Sequence, residues 1–148
     1  MKLNLSTDYA LRVLIFLGSK PDELHSIETL SRTYNLPQSS LMKVVSELVR
    51  HGYVSSTRGR AGGIRLGKDP SDINIGDVVR AMDENLDIID CTNCILDQRC
   101  RLKGVLSEAT AAFLNVLSSY SLANLISTKD DFLVLFALPE TPQHLTQK

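Results

Sequence analysis

The 148-residue sequence predicts a mainly α fold with one small β-hairpin. Three observations carry that expectation. Apolar residues recur at helical spacing in separate stretches along the chain. A single glycine-rich turn, Arg58-Gly59-Arg60-Ala61-Gly62-Gly63, divides two short runs of β-forming residues. The longest helical pattern, residues 101–120, follows them rather than preceding them. The length suffices for one domain with a hydrophobic core plus an appended element. With 43% apolar and 22% charged residues, the balance is that of a soluble globular protein. No run of 18 apolar residues is available for a transmembrane helix. Asp8 arrives too early for the apolar core of a secretory signal, so a cytoplasmic location is expected.

The elements follow in order. Ala10, Leu11, Val13, Leu14, Ile15 and Leu17 read as a buried helix over residues 7–19, with Ser6 or Thr7 as N-cap and Asp8 in the first turn, where the helix dipole favours an acid. Lys20-Pro21-Asp22 ends it. Ser26 caps a short helix carrying Ile27, Leu30 and Tyr34 on one face, and Asn35-Leu36-Pro37 turns the chain. A second helix over residues 38–51 keeps Leu41, Val44, Val45 and Leu48 at i, i+3, i+4, i+7, and Gly52 stops it as a left-handed cap. The segments 53–57 and 64–66 form the hairpin strands. Ile75, Val78, Val79 and Met82 mark a helix over residues 75–83. Residues 84–99 have no clean period and read as a loop. Leu102, Val105, Leu106, Ala109, Phe113, Val116, Leu117 and Tyr120 give the long helix a stripe broad enough to bury against both its own domain and a partner's helix, although an ordinary monomeric core face would read alike. A short amphipathic piece at 122–126, an apolar strip at 132–138 and a loose end complete the chain.

Two short helices, a tight turn and then a hairpin is the order of a winged helix-turn-helix, whose second helix enters the DNA major groove. The divisions expected are a winged helix-turn-helix DNA-binding domain over 1–84, a cysteine loop over 85–101, a long C-terminal dimerisation helix region over 102–128, and a tail over 129–148. The charge pattern agrees. Residues 37–68 hold Lys43, Arg50, Arg58, Arg60, Arg65 and Lys68 against Glu47 alone, and residues 69–98 reverse the sign. Gln38, Ser39 and Ser40 at the start of the second helix, with Lys43 one turn on, are candidates to contact phosphates and base edges. Lys43 also reads as a plain phosphate contact. Arg58 and Arg60 at the hairpin tip suit a minor groove.

All three cysteines, Cys91, Cys94 and Cys100, fall within ten residues. An odd, tightly packed set is a poor disulfide framework, so metal binding or redox chemistry is expected. Thiolates hold iron strongly, and a loop can wrap a cluster without long-range constraint. Zinc with His25, His51 or His144, or a thiol switch without metal, fits the same residues. Arg99, Arg101 and Lys103, with the start of the long helix, would set positive potential beside an anionic centre. No Ser/His/Asp set, phosphate-cradling loop or paired catalytic carboxylates appear, so no enzyme is expected.

Asp8-Tyr9-Ala10-Leu11-Arg12, the run from Gly52-Tyr53-Val54 through the glycine turn to Ile64-Arg65-Leu66-Gly67-Lys68, and Ile75-Gly76-Asp77-Val78-Val79 resemble the Rrf-type iron–sulfur winged-helix repressors. Cys100-Arg101-Leu102-Lys103 and Tyr120-Ser121-Leu122-Ala123-Asn124-Leu125 look most like the family's nitric-oxide-sensitive branch. The resemblance implies a homodimer on a roughly palindromic duplex operator. It also implies a long helix as dimer seam and a cluster, [4Fe-4S] or [2Fe-2S], on Cys91, Cys94 and Cys100. Asp8, contributed across the dimer, matches a fourth ligand found in part of that branch, although it also reads as a plain first-turn acid. Only two residues separate Cys91 from Cys94, fewer than that branch usually has. Lys103 stands where the cluster-biogenesis regulators of the family carry histidine. The expected function is repression relieved when nitric oxide reacts with the cluster. Alternatives are a same-fold regulator sensing iron or redox state, or an iron–sulfur carrier that does not bind DNA.

Overall fold

The computed structural model describes residues 2–83, 85–96, 99–126 and 134–136. Among these the elements run α1 (Leu5–Ser19), α2 (Ile27–Tyr34), α3 (Gln38–Arg50), β1 (Val54–Thr57), β2 (Gly63–Leu66), α4 (Ile75–Met82), α5 (Arg101–Ser118) and α6 (Leu122–Leu125). The fold is mainly helical with one hairpin, as expected. α1 lies at the centre and packs on α3, α4, α6 and β2. Its residues Ala10, Val13, Leu14, Phe16 and Leu17 meet Leu30 of α2, Leu41, Val44 and Leu48 of α3, Val78 of α4 and Leu122 of α6 in one core. A helix covered on several sides needs apolar residues on several faces, which is the pattern α1 carries.

The N-terminus of α1 differs from the sequence expectation. Asn4, rather than Ser6 or Thr7, is the cap: its Oδ1 accepts from the Thr7 N–H at 2.7 Å. Thr7 is fully buried. The Asn4 amide also donates to the Met82 carbonyl at 3.4 Å, tying the start of α1 to the end of α4. α2 begins as read, with Ser26 accepting from the Thr29 N–H at 3.1 Å. Asn35 is left-handed at its end, and so is Gly52 after α3.

β1 and β2 pair antiparallel, with Val54 opposite Leu66 and Thr57 opposite Gly63. A backbone bridge outside the hairpin fixes its base. The His25 N–H donates to the Ile64 carbonyl at 3.0 Å, and the Ile64 N–H donates to the His25 carbonyl at 2.8 Å. At the tip, Gly62 donates to the Gly59 carbonyl at 3.0 Å. A Cβ on Gly62 would overlap the Thr57 carbonyl oxygen, so only glycine closes this turn.

α5 departs from expectation twice. It stops at Ser118, because Ser121 leaves to bridge with Asn74. None of its residues is buried in the single chain. Leu117 near its end packs against the core, but Leu102 and Val105 in its first half are 55% and 60% exposed. The stripe is there; among the described residues, Leu117 near its C-terminal end is the one that packs on the core.

The apolar strip at 132–138 lies mostly outside the described residues, and so does the end of the chain. Within it, Phe136 meets Phe16 at a tilt (centroids 4.9 Å apart) and Tyr34 edge-to-face (5.9 Å). The Tyr34 hydroxyl donates to the Arg12 carbonyl at 3.0 Å, and burial pushes its pKa up to about 12, with the nearby Arg12 charge pulling slightly the other way. The folded chain therefore keeps a proton that the unfolded chain loses from about pH 10 upward. This contribution to stability is complete below pH 10 and is lost as pH rises toward 12. Tyr34→Phe should melt less steeply with alkali over that window in a series of thermal scans. Equal slopes would show that Tyr34 titrates alike in both states.

Candidate nucleic-acid interface and cysteine loop

The apolar residues of α3 point into the core, which turns Gln38, Ser39, Met42, Lys43, Ser46 and Arg50 to solvent. The helix starts after Pro37 without a side-chain cap. Pro37 has no hydroxyl or carboxylate to occupy the first N–H groups, which stay available to an anion. Gln38 and Ser39 are exposed there, and Ser40 is half-buried. Met42 and Ser46 did not stand out in the sequence. Their phase, opposite Leu41, Val44, Val45 and Leu48, is the signal that finds them. An exposed methionine (55%) on such a face can meet a thymine methyl.

The basic side chains on α1–α4 and around the hairpin sort into two groups. Arg12 pairs with Asp8 (2.9 Å), Arg32 with Glu28 (2.5 Å), Arg50 with Glu47, and Arg80 with Asp77 (3.2 Å), each three or four residues apart on one helix. Lys68 lies over the Tyr53 ring at 4.9 Å. Lys43, Arg58, Arg60 and Arg65 are exposed and make no salt bridge among the described residues. Those four lie on α3 and the hairpin. Arg50, counted with the basic stretch in the sequence, is neutralised. What remains bare on α1–α4 and the hairpin is the set a winged helix would turn toward phosphates.

The cysteine loop leaves α4 at Asp83 and enters α5 at Cys100. It is built from tight turns. Asp90 accepts from the Thr92 N–H at 2.8 Å, and hydrogen bonds from Thr92 hold its carboxyl below the usual range. The Cys94 N–H donates to the Cys91 carbonyl at 3.2 Å, with Asn93 left-handed between them. The Arg99 N–H donates to the Leu96 carbonyl at 2.9 Å. Cys100 is the N-cap residue of α5, and its thiol makes no cap hydrogen bond. No disulfide joins the three cysteines. A cleft of about 820 Å³ opens between residues 85–92 and α5, lined in part by Ile89, Cys91, Lys103 and Leu106.

The donor set suits an iron–sulfur centre in kind: three thiols on an exposed loop, one at the positive end of a helix, with Arg99, Arg101 and Lys103 alongside. Among the described residues no three metal-ligating side chains converge. Asp8 stands on α1, 40% exposed and paired with Arg12. His25 is buried edge-on against Phe16, and His51 lies beside Tyr53 at the end of α3; neither belongs to the loop. His144 lies outside the described residues.

Comparison with known proteins places the chain. It matches the Rrf2 family model, described as an iron-dependent transcriptional regulator, over residues 3–128. It is 46% identical over 146 residues to the HTH-type transcriptional regulator NsrR of Bacillus subtilis (strain 168), covering 95% of this chain and 100% of that one. Identity to NsrR of Shouchella clausii (strain KSM-K16) is 42% over 149 residues, covering 97% and 100%. Among solved structures it is similar to CymR (YrzC), the global cysteine regulator of B. subtilis, with TM-score 0.68 and 28% identity over 86% of this chain and 98% of that one. It shares its fold with T. potens IscR, with TM-score 0.72 and 20% identity over 95% and 94%. No helix among the described residues is long and apolar enough to cross a membrane. A helix pair with a basic wing, matched along most of its length to regulators, leads to one assignment: the chain belongs to the Rrf2 family of transcriptional regulators.

Proposed function

We propose that the chain is a homodimeric repressor whose grip on a roughly palindromic operator is controlled by an iron–sulfur cluster that reacts with nitric oxide. The observation that carries the DNA-binding part is the bare basic set, Lys43, Arg58, Arg60 and Arg65, on α3 and the wing. Gln38, Ser39, Ser40 and Lys43 take the major-groove role, and Arg58 and Arg60 the minor-groove role. The uncovered stripe of α5 supports a homodimer, since Leu102, Val105 and Val116 would otherwise stay more than half exposed.

Cys91, Cys94 and Cys100 are the ligands this reading assigns, with Asp8 of the partner subunit as the fourth. When bound, the cluster supplies iron that nitric oxide can attack. The chain's own part is to hold three thiolates, to place Arg99, Arg101 and Lys103 near their negative charge, and to anchor Cys100 on α5. Asp8 must exchange its Arg12 partner to serve as a ligand, and a carboxylate is a harder, weaker donor to iron than thiolate. Asp8 would therefore be the most weakly held of the four ligands. Without the centre the loop between α4 and α5 would lose that constraint, and a dimer that needs both half-sites at once would lose affinity steeply with small shifts.

Anaerobic purification, a visible spectrum before and after nitric oxide, and a gel shift on operator-like palindromes together form the test. A coloured, iron-containing protein that releases DNA on exposure is the expected result. Colourless, iron-poor protein that binds its duplex and ignores nitric oxide would overturn the sensing part. Binding to no duplex would overturn the regulatory part. Asp8→Cys should keep the cluster and slow its reaction with nitric oxide; an unchanged rate would remove Asp8 from the ligand set.

A further inference from the structure

α5 is fastened to the winged unit near its C-terminal end, and the fastening is made by main chain and short polar groups. Gly76, in the first turn of α4, faces Ser118, the last residue of α5. A Cβ on Gly76 would overlap the Ser118 hydroxyl and lie 2.9 Å from its backbone nitrogen and 3.0 Å from its Cα. Around this touch point Asn74 Nδ2 donates to the Ser118 carbonyl at 2.7 Å, and Arg80 Nη1 donates to Ser118 Oγ at 3.0 Å. Just beyond, the Ile75 N–H donates to the Tyr120 carbonyl at 3.0 Å, and the Leu122 N–H donates to the Ile73 carbonyl at 2.8 Å. The first half of α5 has no buried residue, and a Cβ on Gly104 would meet nothing within 4 Å.

A helix of 18 residues spans about 27 Å, so a tilt of about 5° at its fixed end moves the other end by about 2 Å. The hinge angle is therefore worth controlling, and a glycine-to-backbone contact controls it by hard-sphere repulsion, with no rotamer to change. We infer, on the homodimer reading proposed above, that Gly76 with Asn74, Arg80 and Ser118 sets the angle between each reading head and the long helix, and with it the half-site separation that the dimer accepts. These are positioning residues. None lies on α3 or on the hairpin, so they specify separation without touching DNA.

The test uses a half-site that the wild-type chain enriches from random duplexes, rebuilt as inverted repeats whose centres are stepped apart one base pair at a time. Wild type should peak at one separation. Gly76→Ala forces α5 away from α4 and should lose about 10-fold at that separation, the cost of roughly one poorly met contact, while the optimum moves or flattens. Asn74→Asp is the second variant. Aspartate caps α4 as well as asparagine does, where Asn74 now accepts from the Asp77 N–H at 3.2 Å, but it cannot donate to the Ser118 carbonyl. It should act in the same direction and more weakly, and it decides the matter if Gly76→Ala does not fold. Affinity for a single half-site, its salt slope and the dimer fraction in sedimentation should stay at the wild-type level for both. Folded variants that keep the wild-type optimum and profile would overturn the role of this hinge alone. A wild-type chain that enriches no repeat, or stays monomeric, would instead bring down the dimeric DNA-binding reading and the hinge role with it.

Discussion

Replacing Arg58 and Arg60 together by alanine is expected to weaken operator binding on the order of 100-fold near physiological salt, with each of the four arginines on the dimer's two wings carrying roughly 0.7 kcal/mol. Both are exposed at the tip of the hairpin and make no salt bridge among the described residues, so the substitution should leave the fold unchanged. The diagnostic readout is the salt dependence. A dimer that loses two cations from each wing should show a log–log slope shallower by about 3–4. Arg50→Ala is the control: Glu47 already neutralises Arg50, so its slope should stay near that of wild type. Anisotropy titrations at several salt concentrations separate the cases. An unchanged slope in the double variant would remove the wing from the interface.

Cys100→Ser should have the other large effect, and of a different kind. The Cys100 thiol makes no cap hydrogen bond to α5, whereas serine is among the preferred N-cap residues. Helix content and melting temperature should therefore hold or rise by a few tenths of a kcal/mol to about 1 kcal/mol in stability. Iron retention and visible absorbance should fall to background, and the difference in DNA affinity with and without nitric oxide should collapse to about one-fold, because a ligand to the centre is gone. Circular dichroism, iron analysis and paired gel shifts measure the three quantities. A variant that keeps its iron and its response would exclude Cys100 from the ligand set, and with it the proposed link between the loop and the long helix.

The reading half of the molecule was legible in the sequence because its signals are local. The spacing of Leu41, Val44, Val45 and Leu48, the stop at Gly52 and the glycines of the hairpin each act within a few residues. Features that depend on distant partners were not. Asn4 caps α1 in an arrangement braced by the Met82 carbonyl, 78 residues away, and no pattern near Asn4 announces it. The bridge from His25 to Ile64 joins a connector to a strand, and the fastening at Ser118 depends on α4 meeting the end of α5. For α5 the periodicity gave a true stripe but not what covers it, since spacing encodes which residues share a face and nothing about their neighbour. The cysteines stood out by clustering alone, but a cluster of ligands in sequence is not a closed coordination shell, and the described residues do not close one.

The sorting of arginines has a kinetic consequence. Overall the protein carries a formal charge of −1, so at long range a duplex neither draws it in nor drives it off strongly. Because Arg12, Arg32, Arg50 and Arg80 are cancelled by carboxylates on their own helices, the close-range pull of the winged unit is concentrated on the side that carries Lys43, Arg58, Arg60 and Arg65. Collisions made through the paired helix faces gain little and separate quickly, while those made face-on linger long enough to search for sequence. A molecule that is nearly neutral in sum can thus arrive already oriented.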